Sequence, residues 1–134
     1  VMPKLDEQLP GQPMVDLENP FIDDRGVIQN LLERPTGSTV IITSKVGSKR
    51  ANHYHKSDWH FCYLVSGRMD YYHRPVGQES APEKIDVGEG QMVFTPPMVE
   101  HAMVFTEDTV FLTLSRNARD HEAYETDLVR VDLA

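Results

Sequence analysis

The strongest constraint on folding is the punctuation of the chain. From Phe21 onward, short runs rich in β-branched and aromatic residues are separated by turn formers at close intervals. The runs are Val27–Leu32, Thr39–Val46, Trp59–Val65, Met69–His73, Lys84–Val87, Gln91–Thr95, Ala102–Phe105, Thr109–Ser115 and Leu128–Leu133. Gly26, Gly37, Gly47, Ser66-Gly67, Pro75 with Gly77, Gly88 with Gly90, and Pro96-Pro97 lie between them. Many short strands at such spacing predict an all-β sandwich or barrel. No 3.6-residue apolar period is sustained for three turns. The best helical segment, Asn117–Asp127, is mostly charged and is expected to hold at most one turn. Pro3, Pro10, Pro13 and Pro20 predict an extended N-terminal arm over residues 1–20, followed by one domain over residues 21–134.

Strand alternation places side chains. In Trp59–Val65, His60, Cys62 and Leu64 share one face, and Trp59, Phe61, Tyr63 and Val65 share the other. Both faces are largely apolar, so the strand is expected to be buried on both sides, with His60 facing an interior and Trp59 in a sheet or dimer contact. Ile41, Phe61, Tyr63, Val65, Val93, Phe94, Val104, Phe111 and Leu112 are the expected core. Met92, Met98 and Met103 are candidates to line a pocket.

Six histidines in 134 residues is a high count, and their placement matters more. His53 and His55 are one residue apart, so on a strand both imidazoles leave the same face, about 7 Å apart. His60 follows a turn-like Lys56-Ser57-Asp58, and His101 follows the Pro96-Pro97 corner. Adjacent strands can therefore bring these four together. Neutral imidazole is a common ligand of divalent transition metals; the alternative is that each histidine is a satisfied polar residue of the interior. His73 and His121 show no partnering spacing and are expected at the surface.

These residues resemble the cupin family. Gly47, His53, His55, His60 and Gly67 follow the spacing of its first motif (residues 47–67), with His60 where most cupins have Glu. Gly90, Pro96, Met98, His101 and Phe105 follow the second (residues 90–105), with Met98 in place of its usual Gly and Phe105 in place of Asn. The resemblance implies a double-stranded β-helix, or jelly-roll, barrel and commonly a homodimer. It also implies one divalent metal held by His53, His55, His60 and His101. Four imidazoles leave such an ion its full charge, and their softness suits Zn, Ni, Cu, Co, Fe or Mn.

A narrower resemblance concerns Phe21-Ile22-Asp23-Asp24-Arg25-Gly26, Arg50-Ala51-Asn52-His53-Tyr54 and Thr95-Pro96-Pro97-Met98-Val99-Glu100-His101-Ala102. Their order is similar to that in cupin-fold 3,5-epimerases and 3,4-ketoisomerases of nucleotide-linked keto sugars, and in cupin domains of capsular-polysaccharide enzymes. Ala51 replaces a Gly of that pattern, and His55 replaces the Gln of the epimerases. The resemblance implies an isomerase or epimerase. His53 is its base only in a metal-free site, since a nitrogen that holds a metal cannot also accept a proton. With a metal bound, the catalytic residues stay open, with Tyr63, Tyr71 and Tyr72 as candidate acids. Two other readings remain: a mononuclear non-haem metal dioxygenase, and a binding module without turnover.

Charge narrows the partners. With 13 Lys+Arg against 21 Asp+Glu the chain carries −8, which argues against nucleic acid or an anionic membrane as partner. Yet Lys45, Lys49, Arg50 and Lys56 form a segment without an acid, where an anionic small molecule such as a diphosphate can dock. Arg50 and Lys49 are the candidate substrate-binding residues. A single Cys and the absence of a signal-like N-terminus lead to the expectation of a cytoplasmic protein.

Overall fold

The computed structural model describes residues 8–134. Eleven strands and one helix are present among them: β1 (Phe21–Asp23), β2 (Gly26–Ile28), β3 (Ser38–Ser44), β4 (Lys49–His55), β5 (His60–Ser66), β6 (Arg68–Pro75), β7 (Glu83–Gly88), β8 (Met92–Thr95), β9 (Val99–Phe105), β10 (Thr109–Ser115), α1 (His121–Asp127) and β11 (Leu128–Arg130). A four-stranded sheet runs β3-β10-β5-β8 and a five-stranded sheet β11-β4-β9-β6-β7, and every strand pair is antiparallel. β1 and β2 form a separate hairpin. The fold is all-β, as the run pattern predicts.

One core joins the two sheets: Cys62, Leu64, Val93 and Phe111 from the first meet Met69, Tyr71, Val87 and Phe105 from the second. A further cluster of Trp59, Phe61, Met92 and Phe94 packs against Leu9, Val15, Leu17, Leu31 and Leu32. This accounts for β5 being apolar on both faces. Residues 1–7 of the expected arm lie outside the described residues. Its remainder adds a short pairing to β8: the Val15 amide donates to Met92 O at 2.9 Å, and the Phe94 amide donates to Pro13 O at 2.7 Å.

Several expectations are corrected. Ile41 is 69% exposed and Val65 44% exposed, so neither belongs to the core. Burial along β3 alternates with Val40 and Ile42 as the more covered residues, one position out of step with the expected face. Tyr63, Val104 and Leu112 are half-buried, whereas Phe61, Val93, Phe94 and Phe111 are buried. The Val27–Leu32 run stops as a strand at Ile28 because Leu31 and Leu32 leave to cover the Trp59 cluster. The helix is longer than one turn. Asp120 caps it by accepting from the Ala123 amide at 3.1 Å, which offsets the lack of an apolar stripe. No helix among the described residues is long and apolar enough to cross a membrane.

Candidate metal centre

β4 lies between β11 and β9, and register places His53 directly opposite His101. That register depends on a bulge at Ala51 and Asn52, which have φ of 66° and 55°. Asn takes the left-handed region more readily than most residues, and here its side-chain oxygen also accepts from the Leu133 and Ala134 amides, fastening the C-terminus. His55, two residues on, shares the face of His53. Ring centroids are 4.7 Å apart for His53 and His55, 4.8 Å for His53 and His101, and 5.7 Å for His55 and His101.

The candidate ligand atoms of His53, His55 and His101 lie within 4.8 Å of one another. His60 stacks on His55 at 4.5 Å, but its Nε2 is turned to Asp58 Oδ2 at 2.9 Å. It groups with His55 and Asp58 rather than with the other three. The four histidines are therefore neighbours, arranged as a triad plus one.

Burial sets the charge state. Desolvation, reinforced by repulsion from neighbouring histidines, lowers His53 to about 3 and His55 to about 4, and pulls His101 well below its usual range. The rings are neutral near pH 7, the form that ligates metal. His55 is 1% exposed and neither ring nitrogen has a hydrogen-bond partner. A buried polar atom without a partner is costly, and an ion bound by the triad would satisfy one of the two. The donor set therefore fits a divalent transition metal.

His53 and His101 open on a cavity of about 130 Å³ lined also by Arg50, His60, Met103, Arg119 and Tyr124, whereas His55 is not part of its lining. Arg50 donates to Ser44 Oγ at 2.7 Å and to Thr43 O at 2.9 Å, which holds its guanidinium at the rim. Lys49 is exposed and does not line this cavity. Arg119 and Tyr124, which the sequence reading missed, come from α1 and the segment before it. The Arg119 guanidinium lies 4.5 Å from the Tyr124 ring centroid, and that ring is 5.6 Å from His55. Their signal was a mixed charge and aromatic cluster in a segment without apolar periodicity. Asp127 escaped notice for the same reason, and Asp58 because it reads as part of the Lys56-Ser57-Asp58 turn. Of the candidate acids, Tyr63 and Tyr72 do not line the cavity, and Tyr71 bonds to Thr95, with burial pushing its hydroxyl pKa upward.

Of the three methionines, Met103 reaches this cavity, Met92 is core and Met98 is 46% exposed. His73 is half-buried, not at the surface as expected. It pairs with His101 across β6 and β9, stacks on Tyr71 at 5.7 Å, and helps line a separate, mainly apolar cavity of about 220 Å³. That cavity contains none of the triad.

The cupin domain profile matches residues 40–115. No curated protein sequence matches the chain. Among solved structures, the chain is similar to the 3,4-ketoisomerase QdtA from Thermoanaerobacterium thermosaccharolyticum in complex with TDP, at TM-score 0.72 and 21% identity, covering 92% of this chain and 89% of that one. A 3,4-ketoisomerase from Helicobacter canadensis aligns at TM-score 0.74 and 14% identity, covering 90% of each chain. The dTDP-4-dehydrorhamnose 3,5-epimerase from Sulfolobus tokodaii aligns at TM-score 0.68 and 15% identity, covering 90% of this chain and 82% of that one. Identities this low speak to fold alone. With the profile spanning more than half of the sequence, and both histidine-bearing motifs inside it, the chain belongs to the cupin family.

Proposed function

We propose that the protein is a metal-dependent isomerase or epimerase of a nucleotide-linked keto sugar, with His53, His55 and His101 as ligands and His60 beside them. One observation carries the reading: two members of the neutral imidazole triad, His53 and His101, line an open cavity that also holds two guanidinium groups, Arg50 and Arg119, with His55 beside them. Moving a proton beside a ketone requires charge stabilisation on the carbonyl oxygen as it becomes an enediolate. A divalent ion held by the triad would supply that stabilisation.

The chain's own residues do the rest. Arg50 and Arg119 offer forked donors to a diphosphate, and burial keeps the imidazoles free of competing protons. Lowering to about 3 makes His53 a weak base near neutral pH, which favours its ligand role over proton abstraction. Tyr124 replaces Tyr63, Tyr71 and Tyr72 as the tyrosine closest to the chemistry, since its ring lines the cavity. The protein acts as a homodimer in this reading. The β1–β2 hairpin exposes Phe21, Ile22, Val27 and Ile28, apolar surface suited to burial against a second copy.

A thermal-shift titration with nucleoside diphosphates tests the substrate class. Stabilisation by a diphosphate, reduced in an Arg119→Ala variant, is the expected result. No stabilisation at concentrations far above about 1 mM removes the nucleotide-sugar reading.

A further inference from the structure

The histidine centre has an outer layer that the ligand motifs do not describe. The His101 Nδ1 lies 3.0 Å from Val99 O. A carbonyl only accepts, so Nδ1 carries the proton and Nε2 is left bare. His60 Nε2 lies 2.9 Å from Asp58 Oδ2; a carboxylate oxygen accepts, so the geometry puts a proton on Nε2, and in the neutral ring Nδ1 is the bare nitrogen. His55 Nδ1 faces Asp127 Oδ2 at 3.4 Å, without hydrogen-bond geometry, so the carboxylate acts on it by charge.

Both carboxylates are themselves fixed. Asp58 Oδ1 accepts from the Asn117 amide at 2.9 Å. Asp127 accepts from the Ser57 amide at 2.9 Å, the Ser57 hydroxyl at 2.7 Å and the Asp58 amide at 3.1 Å. They brace the turn between the two strands that carry His55 and His60.

We propose that Asp58 and Asp127 are positioning residues of this centre. Asp58 holds His60 in one tautomer through its hydrogen bond, Asp127 biases His55 toward a proton on Nδ1 by charge, and the two return to the periphery of the centre the negative charge that His60 removes by standing where most cupins have Glu. The inference rests on the metal-centre reading for its purpose but not for its geometry. Carboxylates placed one bond beyond imidazole ligands fix ring orientation and raise ligand basicity, and their loss weakens metal affinity by about 10–100-fold.

The test has two readouts on the full chain. Long-range ¹H–¹⁵N correlation spectra of the metal-free protein report each tautomer: the expected protons are on His60 Nε2, His55 Nδ1 and His101 Nδ1. Cobalt(II) titrations, followed by calorimetry and by the visible spectrum, should show affinity falling about 10–100-fold in Asp58→Asn and in Asp127→Asn, with an altered spectrum. Ser57→Ala, which removes a hydrogen bond but no charge, should bind within about threefold of the unmodified chain. Mixed tautomers at His55 and His60 overturn the inference. So does unchanged cobalt affinity in both Asn variants, or loss of a second cobalt equivalent, which makes the carboxylates direct ligands of another ion. If the unmodified chain takes no cobalt, the metal reading fails, and the tautomers still decide the positioning.

Discussion

Acidification of the metal-free protein probes the buried imidazoles directly. An unfolded histidine titrates near 6.5, while His53 is held at about 3 and His55 at about 4 in the fold. A lowered folded value means the unfolded chain binds the proton more readily. Stability is therefore complete above 6.5 and is lost as pH falls toward the folded values. Between 6.5 and about pH 5, one imidazole costs about 2 kcal/mol at 1.36 kcal/mol per unit. His55 costs a similar amount, but the two values share their mutual repulsion and do not simply add. The expected loss is about 2–4 kcal/mol. Carboxylates contribute little there: Asp127, held below its ordinary value by Ser57 and Asp58 against the upward push of burial, remains ionised. Urea unfolding in the presence of a chelator should show a midpoint about 1–2 M lower near pH 5 than near pH 7.5, for a slope of about 2 kcal/mol/M. Replacing His53 and His55 together by Asn should reduce the difference to the part that buried His101 still carries. Equal midpoints for the unmodified protein would refute the claim that these rings are buried in neutral form.

Met98→Gly should stabilise the fold by about 0.5–1 kcal/mol in thermal denaturation, because Met98 is held at φ 62° while its side chain is nearly half exposed. A destabilised variant would show that the Met98 side chain matters more than its backbone. Trp59→Ala should cost about 3–5 kcal/mol, since Trp59 is fully buried against Phe61 and the N-terminal segment; a cost below about 1 kcal/mol would mean that this segment does not seal the outer core. Arg119→Ala should weaken nucleoside diphosphate binding about tenfold or more by calorimetry while leaving the melting temperature near that of the unmodified chain. Lys49→Ala, outside the cavity, should change the affinity by less than about twofold.

Sequence and structure agree best where the physics is local. The His-x-His pair needs only strand alternation to share a face, and β4 places it so. The two positions where the chain departs from the Gly of the motifs it resembles, Ala51 and Met98, are both left-handed, so the motif pattern carried backbone information that composition could not. What failed was long-range. The face of Ile41 depends on the register of β3 against β10, and a shift of one residue inverts it. His73 is covered because β6 lies beside β9, a pairing that no local spacing announces. Arg119, Tyr124 and Asp127 reach the site because β11 closes onto β4 from far along the chain. His60 shows the limit of motif spacing: the position matches, yet Asp58, two residues away, claims its Nε2.

In the proposed function this histidine centre moves protons beside a sugar ketone. The most direct measurement is ¹H NMR of a nucleotide-linked 4-keto-6-deoxy sugar in D₂O with the purified protein loaded in turn with zinc, nickel, iron, manganese, cobalt or copper. The expected result is exchange of the proton on the carbon next to the ketone, with an isomerised or epimerised product, abolished by removing the metal and in His101→Ala. Intact substrate without exchange for every metal would contradict it, and oxygen-dependent consumption with iron alone would point instead to the dioxygenase.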